Sequence, residues 1–463
     1  MILTINISQI TDFPEEEMIY FNKLLQTFNN HASKNAEKDQ YYEGKITLGQ
    51  VNLGIAIPET FKKLEIGCAW GAKTVDVLAA RSMFDGFVGL NGENVEEIDA
   101  IVEQNDLIAQ YMKASRDELK LGCTFATLSK DEDGKCKIRF HSPQTAAALW
   151  DGEKGRISRG FAIVDTAPTN DNLTWVPSLI NYYTDTDIWV LHGANGKWFA
   201  ERKPHIMGRP LMEALVWNPT PAKPFGRSRI KEPIRRLIDG YVRTIANATI
   251  GLEFATSPQK YLLGITNEQF DVVINQKFKQ YVGSIIASTT NPDTGEKPTF
   301  GQLPQGNIQP HVEMIRILAT QFSAASGLPV TDTGVVNDAN PTSSDAILAQ
   351  TQTLVLMAEQ LNTANGYSLR NIALMALAIT KNIALDDLTD EDRAIIAHFK
   401  NPAMPSVAVT ADAAIKIAST RESFAQTDTF LEMIGFDKAD IRRIRAQEQR
   451  ARGLQVLEDI GVE

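Results

Sequence analysis

The chain has 463 residues, of which 57 are acidic and 46 basic, giving a net charge of -11, and 43% are apolar. This length calls for two or more structural units, and the composition for a folded rather than a disordered protein. Tight nucleic-acid binding needs a broad basic surface, so extensive gripping of DNA is excluded, while a local basic patch is not.

Cys68, Cys123 and Cys136 stand far apart with no C-x-x-C pair, and the histidines are dispersed with no H-E-x-x-H. Neither a disulfide framework nor a zinc site is expected, no cofactor is called for, and a reducing compartment fits. The opening MILTINISQITDFPEEEM carries no basic segment before an apolar core. No stretch reaches the ~20 apolar residues of a membrane helix. A cytoplasmic-type chain without membrane contact is expected.

In chain order, Thr11-Asp12-Phe13-Pro14 followed by Glu15, Glu16 and Glu17 predicts a helix start with Asp or Thr as cap, running to about Lys34. A second helix is predicted from Trp70 to Phe84, with Val75, Leu78 and Ala79 on its inner face. From Cys123 to Trp217 short β-prone runs (CKIRFHS, GFAIVDT, TDIWVLHG, KWFAER) separated by turn residues predict an antiparallel sheet region. Within it Asn195-Gly196 marks a hairpin, and Gln144–Trp150 reads as a short helix. Arg229–Thr256 carries apolar residues at three- and four-residue spacing and predicts a helix on the order of 40 Å long, with Pro233 in its first turn. Gln259–Gly306 reads as a small α/β insertion: NEQFDVVINQKFKQYV helical, GSIIAST a strand, NPDTGEKP a turn. Pro310–Ser326 is predicted helical, stopped by Gly327-Leu328-Pro329. Val330–Thr342 is a polar loop. Ser343-Ser344-Asp345 then cap a long helix towards Ala384, with only Glu359 and Arg370 charged between Asp345 and Lys381, which predicts cover on most sides. After NPAMPSVAV, helices are predicted over Ala411–Ser419, Thr427–Ile434 and Lys438–Leu457.

The segment Gly67–Thr74, GCAWGAKT, is one glycine short of the phosphate-cradling G-x-x-x-x-G-K-[ST], with Ala72 where the second glycine belongs. That motif works by letting backbone N–H groups wrap phosphates at a helix start, and a Cβ obstructs the close approach. The preceding PETFKKLEI is a poor buried strand. Phe161-Ala-Ile-Val-Asp165 offers an acidic partner of a kind common to any sheet. The competing structural reading is a helix start with Lys73 in solvent.

The longer line WGAKTVDVLAARSMFDGF resembles the N-terminal region of bacteriophage portal proteins, and the resemblance recurs along the chain. Tyr41-Tyr42-x-Gly44 precedes it. Phe225-Gly226-Arg227-Ser228-Arg229-Ile230 and Ser257-Pro258-Gln259-Lys260-Tyr261 through Gly264 resemble the family's G-x-S-x-[IL] and P-Q-x-Y-x-x-G segments. Ala325-Ser326-Gly327-Leu328-Pro329 and Asn340-Pro341-Thr342-Ser343-Ser344-Asp345-Ala346-Ile347 resemble a later stretch, and ADAAIK with LEMIGFDKADIRRIRAQE the C-terminal helical part. The match is strongest from Phe225 to Leu361.

The resemblance implies an α+β portal fold with α-helical stem and crown, a mixed α/β wing and a small α/β clip, assembled as a ring of about twelve. Laid over this chain, it puts the wing at 1–225, the first stem helix at 226–257, the clip at 258–306 and the second stem helix at 307–327. A tunnel loop follows at 328–344, the long wing helix and return at 345–410, and the crown at 411–463. It implies a structural role, without enzymatic activity, as a channel at one capsid vertex through which double-stranded DNA is packaged and ejected. Implied partners are the terminase large subunit, a head-completion adaptor, and the major capsid and scaffolding proteins, with assembly in the host cytoplasm and residence in the virion. Asp332, Asn337, Asp338 and Asn340 would line the channel, since acidic walls discourage DNA sticking across a gap near the ~10 Å Debye length. Arg442, Arg443, Arg445, Arg450 and Arg452 would contact packaged DNA, although a solvated helix with pairs such as Glu448 and Arg452 is the plainer reading. Asn291, Asp293, Glu296 and Lys297 would lie at the clip interface. Two alternatives stand: a packaging ATPase using Lys73 and Asp165, and a head-assembly or adaptor protein that forms no channel.

Overall fold

A computed structural model of the chain describes residues 2, 3, 5, 7, 10–47, 65–89, 95–131, 133–168, 175–194, 197–256, 260–263, 295, 299–302, 307–335, 344–403, 407–436 and 438–460. The chain divides into two compact units, Met1–Lys400 and Asn401–Glu463. The first opens with β1 (Ile10–Thr11), α1 (Glu15–Glu43), β2 (Lys45–Thr47), β3 (Glu65–Gly67), α2 (Trp70–Ala79), β4 (Phe84–Val88), α3 (Glu96–Gln104) and α4 (Leu107–Leu121). A strand-rich middle follows: β5 (Cys123–Lys130), β6 (Cys136–His141), β7 (Ala146–Asp151), β8 (Arg156–Pro168), β9 (Trp175–Tyr183), β10 (Asp187–Ala194), β11 (Lys197–Pro204) and β12 (Met212–Val216). Then come α5 (Glu232–Thr256), the paired strands β13 (Lys260–Leu263) and β14 (Thr299–Gln302), and α6 (Gln309–Ser326). A 3-10 turn (Val330–Thr333), α7 (Ser344–Lys381), a second 3-10 turn (Leu385–Asp387), α8 (Asp390–Arg393) and β15 (Ile396–Phe399) complete the unit. The second unit contains α9 (Val407–Thr420), α10 (Asp428–Met433) and α11 (Lys438–Ile460).

Helix α1 begins with Glu15, Glu16 and Glu17 at the positive end of its dipole, as expected. Neither Thr11 nor Asp12 caps it: Pro14 occupies that position without a side-chain bond, and Asp12 sits at φ 61°. The helix also runs nine residues past Lys34 and stops at Gly44, φ 68°. Its last turn is held by tertiary bonds that no local pattern announces, from the Tyr41 hydroxyl to Asp239 (2.7 Å) and the Tyr42 hydroxyl to Asp76 (3.0 Å).

The β-rich middle forms as predicted, with one correction. Gln144–Trp150 is not a helix: a turn leads into β7, whose residues pair antiparallel with β8 from Ala146 opposite Ala162 to Asp151 opposite Arg156. Three alanines in a row favour a helix locally, but Ala146, Ala147 and Ala148 are all buried, and pairing with β8 overrides the propensity. Trp70–Phe84 is likewise shortened to α2, because Phe84 starts β4, which pairs with the distant β15. The hairpin at Asn195-Gly196 is supported by the register Ala194 opposite Lys197, while the two turn residues lie outside the described set. So do the helix, strand and turn expected within Gln259–Gly306, apart from Gly295 in the turn.

Three cores organise the first unit. Phe21, Leu24, Leu25 and Phe28 of α1, at i, i+3, i+4 and i+7, pack against a six-stranded sheet of order β1-β11-β10-β9-β8-β7. A second sheet, β12-β5-β6, lies against α3, α4 and the later half of α7, where Leu369, Ile372, Ala373 and Met375 to Ile379 are buried. That half of α7 is covered by its own unit, which is why it tolerates so few charges. The third core joins α2, α5, α6 and the first half of α7 through Val75, Leu78, Ile234, Ile238, Val242, Phe322, Leu354 and Leu361.

Candidate functional site

The third core forms a joint that takes in Leu328 and Val335, within the described start of the segment that the resemblance makes a channel loop. Trp70 lies at its centre, stacked on Phe322 of α6 with ring centroids 4.6 Å apart and equally close to Tyr241 of α5. Its indole N–H donates to the carbonyl of Thr333 (3.1 Å), tying α2 to the 3-10 turn. Gly71 allows this approach, since a Cβ there would stand 2.0 Å from the Tyr41 carbonyl oxygen. The glycine therefore serves contact between α1 and α2 rather than contact with a phosphate. The Lys73 backbone N–H is already bonded to Ala69 (2.9 Å), and its side chain is exposed. Asp165 is exposed on β8, with its carboxylate accepting from the Thr166 N–H (2.8 Å). Among the described residues no hydrogen bond or ion pair joins Lys73 to Asp165.

Arg229 is the joint's other hub, and sequence reading noticed it only as part of a motif. It is 6% exposed. Its Nε donates to the Thr74 carbonyl (2.6 Å), its Nη2 to the Ser326 carbonyl (2.8 Å), and its guanidinium lies 5.5 Å from the centre of the Trp217 ring. Among the described residues no carboxylate pairs with it. The carbonyl of Ser326, at the negative end of the α6 dipole, helps hold the charge. Burial lowers the Arg229 pKa to about 10. The rest of the Phe225–Ile230 motif serves the same joint. Gly226 adopts φ 64°, where a Cβ would meet the Trp217 carbonyl at 2.2 Å, and the Ser228 hydroxyl donates to the Lys120 carbonyl while accepting from the Ile230 N–H.

Above the joint, α6 ends at Gly327 (φ 71°) as predicted, and Val330–Thr333 turns with the Thr333 hydroxyl donating to the Val330 carbonyl (2.7 Å). Asp332 sits half-buried in this turn, its N–H bonded to Pro329 (3.0 Å). Asn337, Asp338 and Asn340 lie outside the described residues, as do Asn291, Asp293, Glu296 and Lys297.

Close to the joint, Glu118 of α4 is fully buried and meets Asn365 of α7, whose amide donates to Glu118 Oε2 (2.8 Å) and to the Tyr111 hydroxyl (3.0 Å). Glu118 Oε1 and Asn365 Oδ1 have no partner among the described residues. Desolvation raises the Glu118 pKa to about 8.

In the second unit the arginines divide. Arg445 is committed to its own fold, donating to Asp428 (2.8 Å), Glu448 (2.9 Å) and the Gln426 carbonyl. Glu448 thus pairs with Arg445 in the described residues. Arg442, Arg443, Arg450 and Arg452 are exposed on α11.

No curated protein matches the chain. Among solved structures it is similar to a chain of the virion of a native gene transfer agent (GTA) particle, at 12% identity over 80% of this chain and 90% of that one, TM-score 0.45. It is similar at 13% identity, over 81% of this chain and 88% of that one, TM-score 0.45, to a chain in the neck of an empty GTA particle computed with C6 symmetry. The family model described as phage portal protein, SPP1 Gp6-like, matches residues 22–453. With nearly the whole chain matched, this protein belongs to the SPP1 Gp6-like family of phage portal proteins.

Proposed function

We propose that copies of this chain close into a ring, twelve in the assembled particle, around a channel that passes double-stranded DNA into and out of the capsid. The observation that carries this reading is the portal-family match over residues 22–453. It is supported by the exposed apolar side chains of Met314 and Ile317 on one side of α6, suited to cover by a neighbouring subunit. In this reading α5 and α6 are the stem, 258–306 the clip, 328–344 the tunnel loop, α7 the long wing helix and 411–463 the crown. Asp332, Asn337, Asp338 and Asn340 face the channel, where weak repulsion keeps DNA sliding. Arg442, Arg443, Arg450 and Arg452 face packaged DNA, while Arg445 holds α10 to α11. Asn291, Asp293, Glu296 and Lys297 meet the terminase large subunit and later the head-completion adaptor. Capsid and scaffolding proteins surround the ring at one vertex of a particle built in the host cytoplasm. The role is structural and without catalysis.

Negative-stain electron microscopy with native mass spectrometry on the purified protein tests this reading. Rings with an open axial channel are expected. A monomer that hydrolyses ATP, with the activity lost in Lys73→Ala, would overturn it. A defined assembly without a channel would favour a head-assembly or adaptor protein.

A further inference from the structure

One face of this acidic chain is strongly basic. A cleft of about 680 Å3 opens between α1, the start of β5, β7 and the segment leading into α5. Lys34 and Lys38 come from α1, and Lys223, Arg227, Lys231 and Arg235 from residues 223–235; Glu232 also lines the cleft and pairs with Arg236 (3.3 Å). Arg235 pairs with Glu37 (2.7 Å), but among the described residues none of the other five has a carboxylate partner. The like charges are felt: burial first, then Lys34 and Lys38, lower the pKa of His31 on the same wall. The floor is apolar, with Phe28, Phe125 and Phe225. Asn35 also lines the cleft. It is 4% exposed.

The complementary charge lies elsewhere on the same unit. The turn Leu385–Arg393, LDDLTDEDR, exposes Asp386, Asp387, Asp390 and Glu391, and among the described residues none of these is in an ion pair. Leu388 and Asp392 anchor the turn from below, Asp392 through Lys381 (2.9 Å). Cleft and turn sit at opposite ends of one strand. Cys123 and Phe125, near the start of β5, line the cleft. Lys130 at its end bonds Asn382, just before the turn (3.0 Å). Eight residues of strand span roughly 24 Å, so the two patches do not meet within one chain.

We propose that the basic cleft is the docking site for a second copy of the chain, which inserts its acidic turn Leu385–Arg393 so that neighbours join head to tail. This rests on the ring reading above and deepens it by naming the two surfaces that close the ring. Two different, separated patches on one subunit are what a heterologous, ring-closing contact requires. Opposite charge sets the register and rejects turn-to-turn and cleft-to-cleft encounters. The exposed carboxylates of Asp386, Asp387, Asp390 and Glu391 supply the charge that the cleft's lysines and arginine, unpaired among the described residues, lack.

Charge exchange tests the assignment. One variant reverses the cleft (Lys223→Glu, Arg227→Glu, Lys231→Glu), another the turn (Asp386→Lys, Asp387→Lys, Glu391→Lys). Circular dichroism melts confirm that both are folded. The expected result by native mass spectrometry is that each variant alone loses ring formation at least tenfold in concentration dependence. An equimolar mixture restores even-membered rings that contain the two variants in equal number. A chain carrying all six changes forms rings alone. If both variants assemble as the wild type does, the ring reading stands and this inference falls. If only the cleft variant fails and the mixture does not rescue it, the cleft receives another acidic protein, and the inference falls as well. Wild type and mixture both remaining monomeric would overturn the ring reading together with it.

Discussion

At Gly71 a hydrogen faces the Tyr41 carbonyl where a methyl would stand 2.0 Å away, and that oxygen belongs to backbone at the end of a long helix. Gly71→Ala is therefore expected to lose about 3 kcal/mol in urea denaturation, the upper range for overpacking. Ala72→Gly completes the nucleotide-loop pattern and makes a sharper test. It is expected to cost about 1 kcal/mol, as glycine does within a helix, and to confer no ATP hydrolysis, since the Lys73 N–H is already bonded to Ala69. Glu118 gives a pH signature. Its folded pKa of about 8 lies above the ordinary 4.5, so the folded state holds a proton that the unfolded state releases. Stability from this group is full below about pH 4.5 and falls as pH rises towards 8. Glu118→Gln should flatten this slope, and its advantage over wild type should grow from pH 5 to 8, reaching on the order of 1–3 kcal/mol, the cost of a poorly satisfied buried polar group. Melting curves across that range, with equal slopes as the opposing result, decide it.

Elements meet at the joint through single side chains, so small changes there should act on whole helices. Trp70→Phe keeps the stack on Phe322 but removes the indole bond to Thr333. The expected cost is about 1 kcal/mol, with faster hydrogen exchange confined to the amides of residues 331–335. Exchange unchanged there would mean that α2 does not hold the turn. Arg229→Lys leaves a charge but removes the planar fork that reaches Thr74 and Ser326 together. A loss of about 2–4 kcal/mol is expected, because a buried charge deprived of its partners is strongly destabilising. Denaturant midpoints of the variant beside Arg229→Met separate lost geometry from lost charge, the uncharged chain of similar length being the less damaged.

For the whole molecule, the net charge of -11 and the exposed arginines of α11 make opposing demands on DNA. Binding to duplex DNA should be weak, falling steeply between 50 and 200 mM salt, as phosphate contacts do. Changing Arg443, Arg450 and Arg452 to alanine should abolish what remains while leaving assembly intact, as read by filter binding and native mass spectrometry. Loss that tracks Arg445→Ala instead would point to unfolding of α10 and α11, which that residue joins.

The sequence by itself determined the elements whose signals are local. Acids after a proline start α1, spaced apolar residues mark α5 to α7, Gly327 and Pro329 end α6, and alternating runs with turn residues mark the strands. Motif order along the chain was enough to indicate the portal family. Tertiary structure alone decided what depends on distant partners. It turned Ala146–Asp151 into a strand by pairing it with β8, ended α2 early so that Phe84 could join β15, and carried α1 on to Glu43 through bonds to Asp239 and Asp76. It also gave Trp70, Gly71 and Arg229 their roles, since a stack, a close carbonyl and two acceptors from separate helices leave no periodic trace. Hydrophobic period and capping act over a few residues and can be read along the chain, whereas a joint is made by residues as far apart as Thr74 and Ser326.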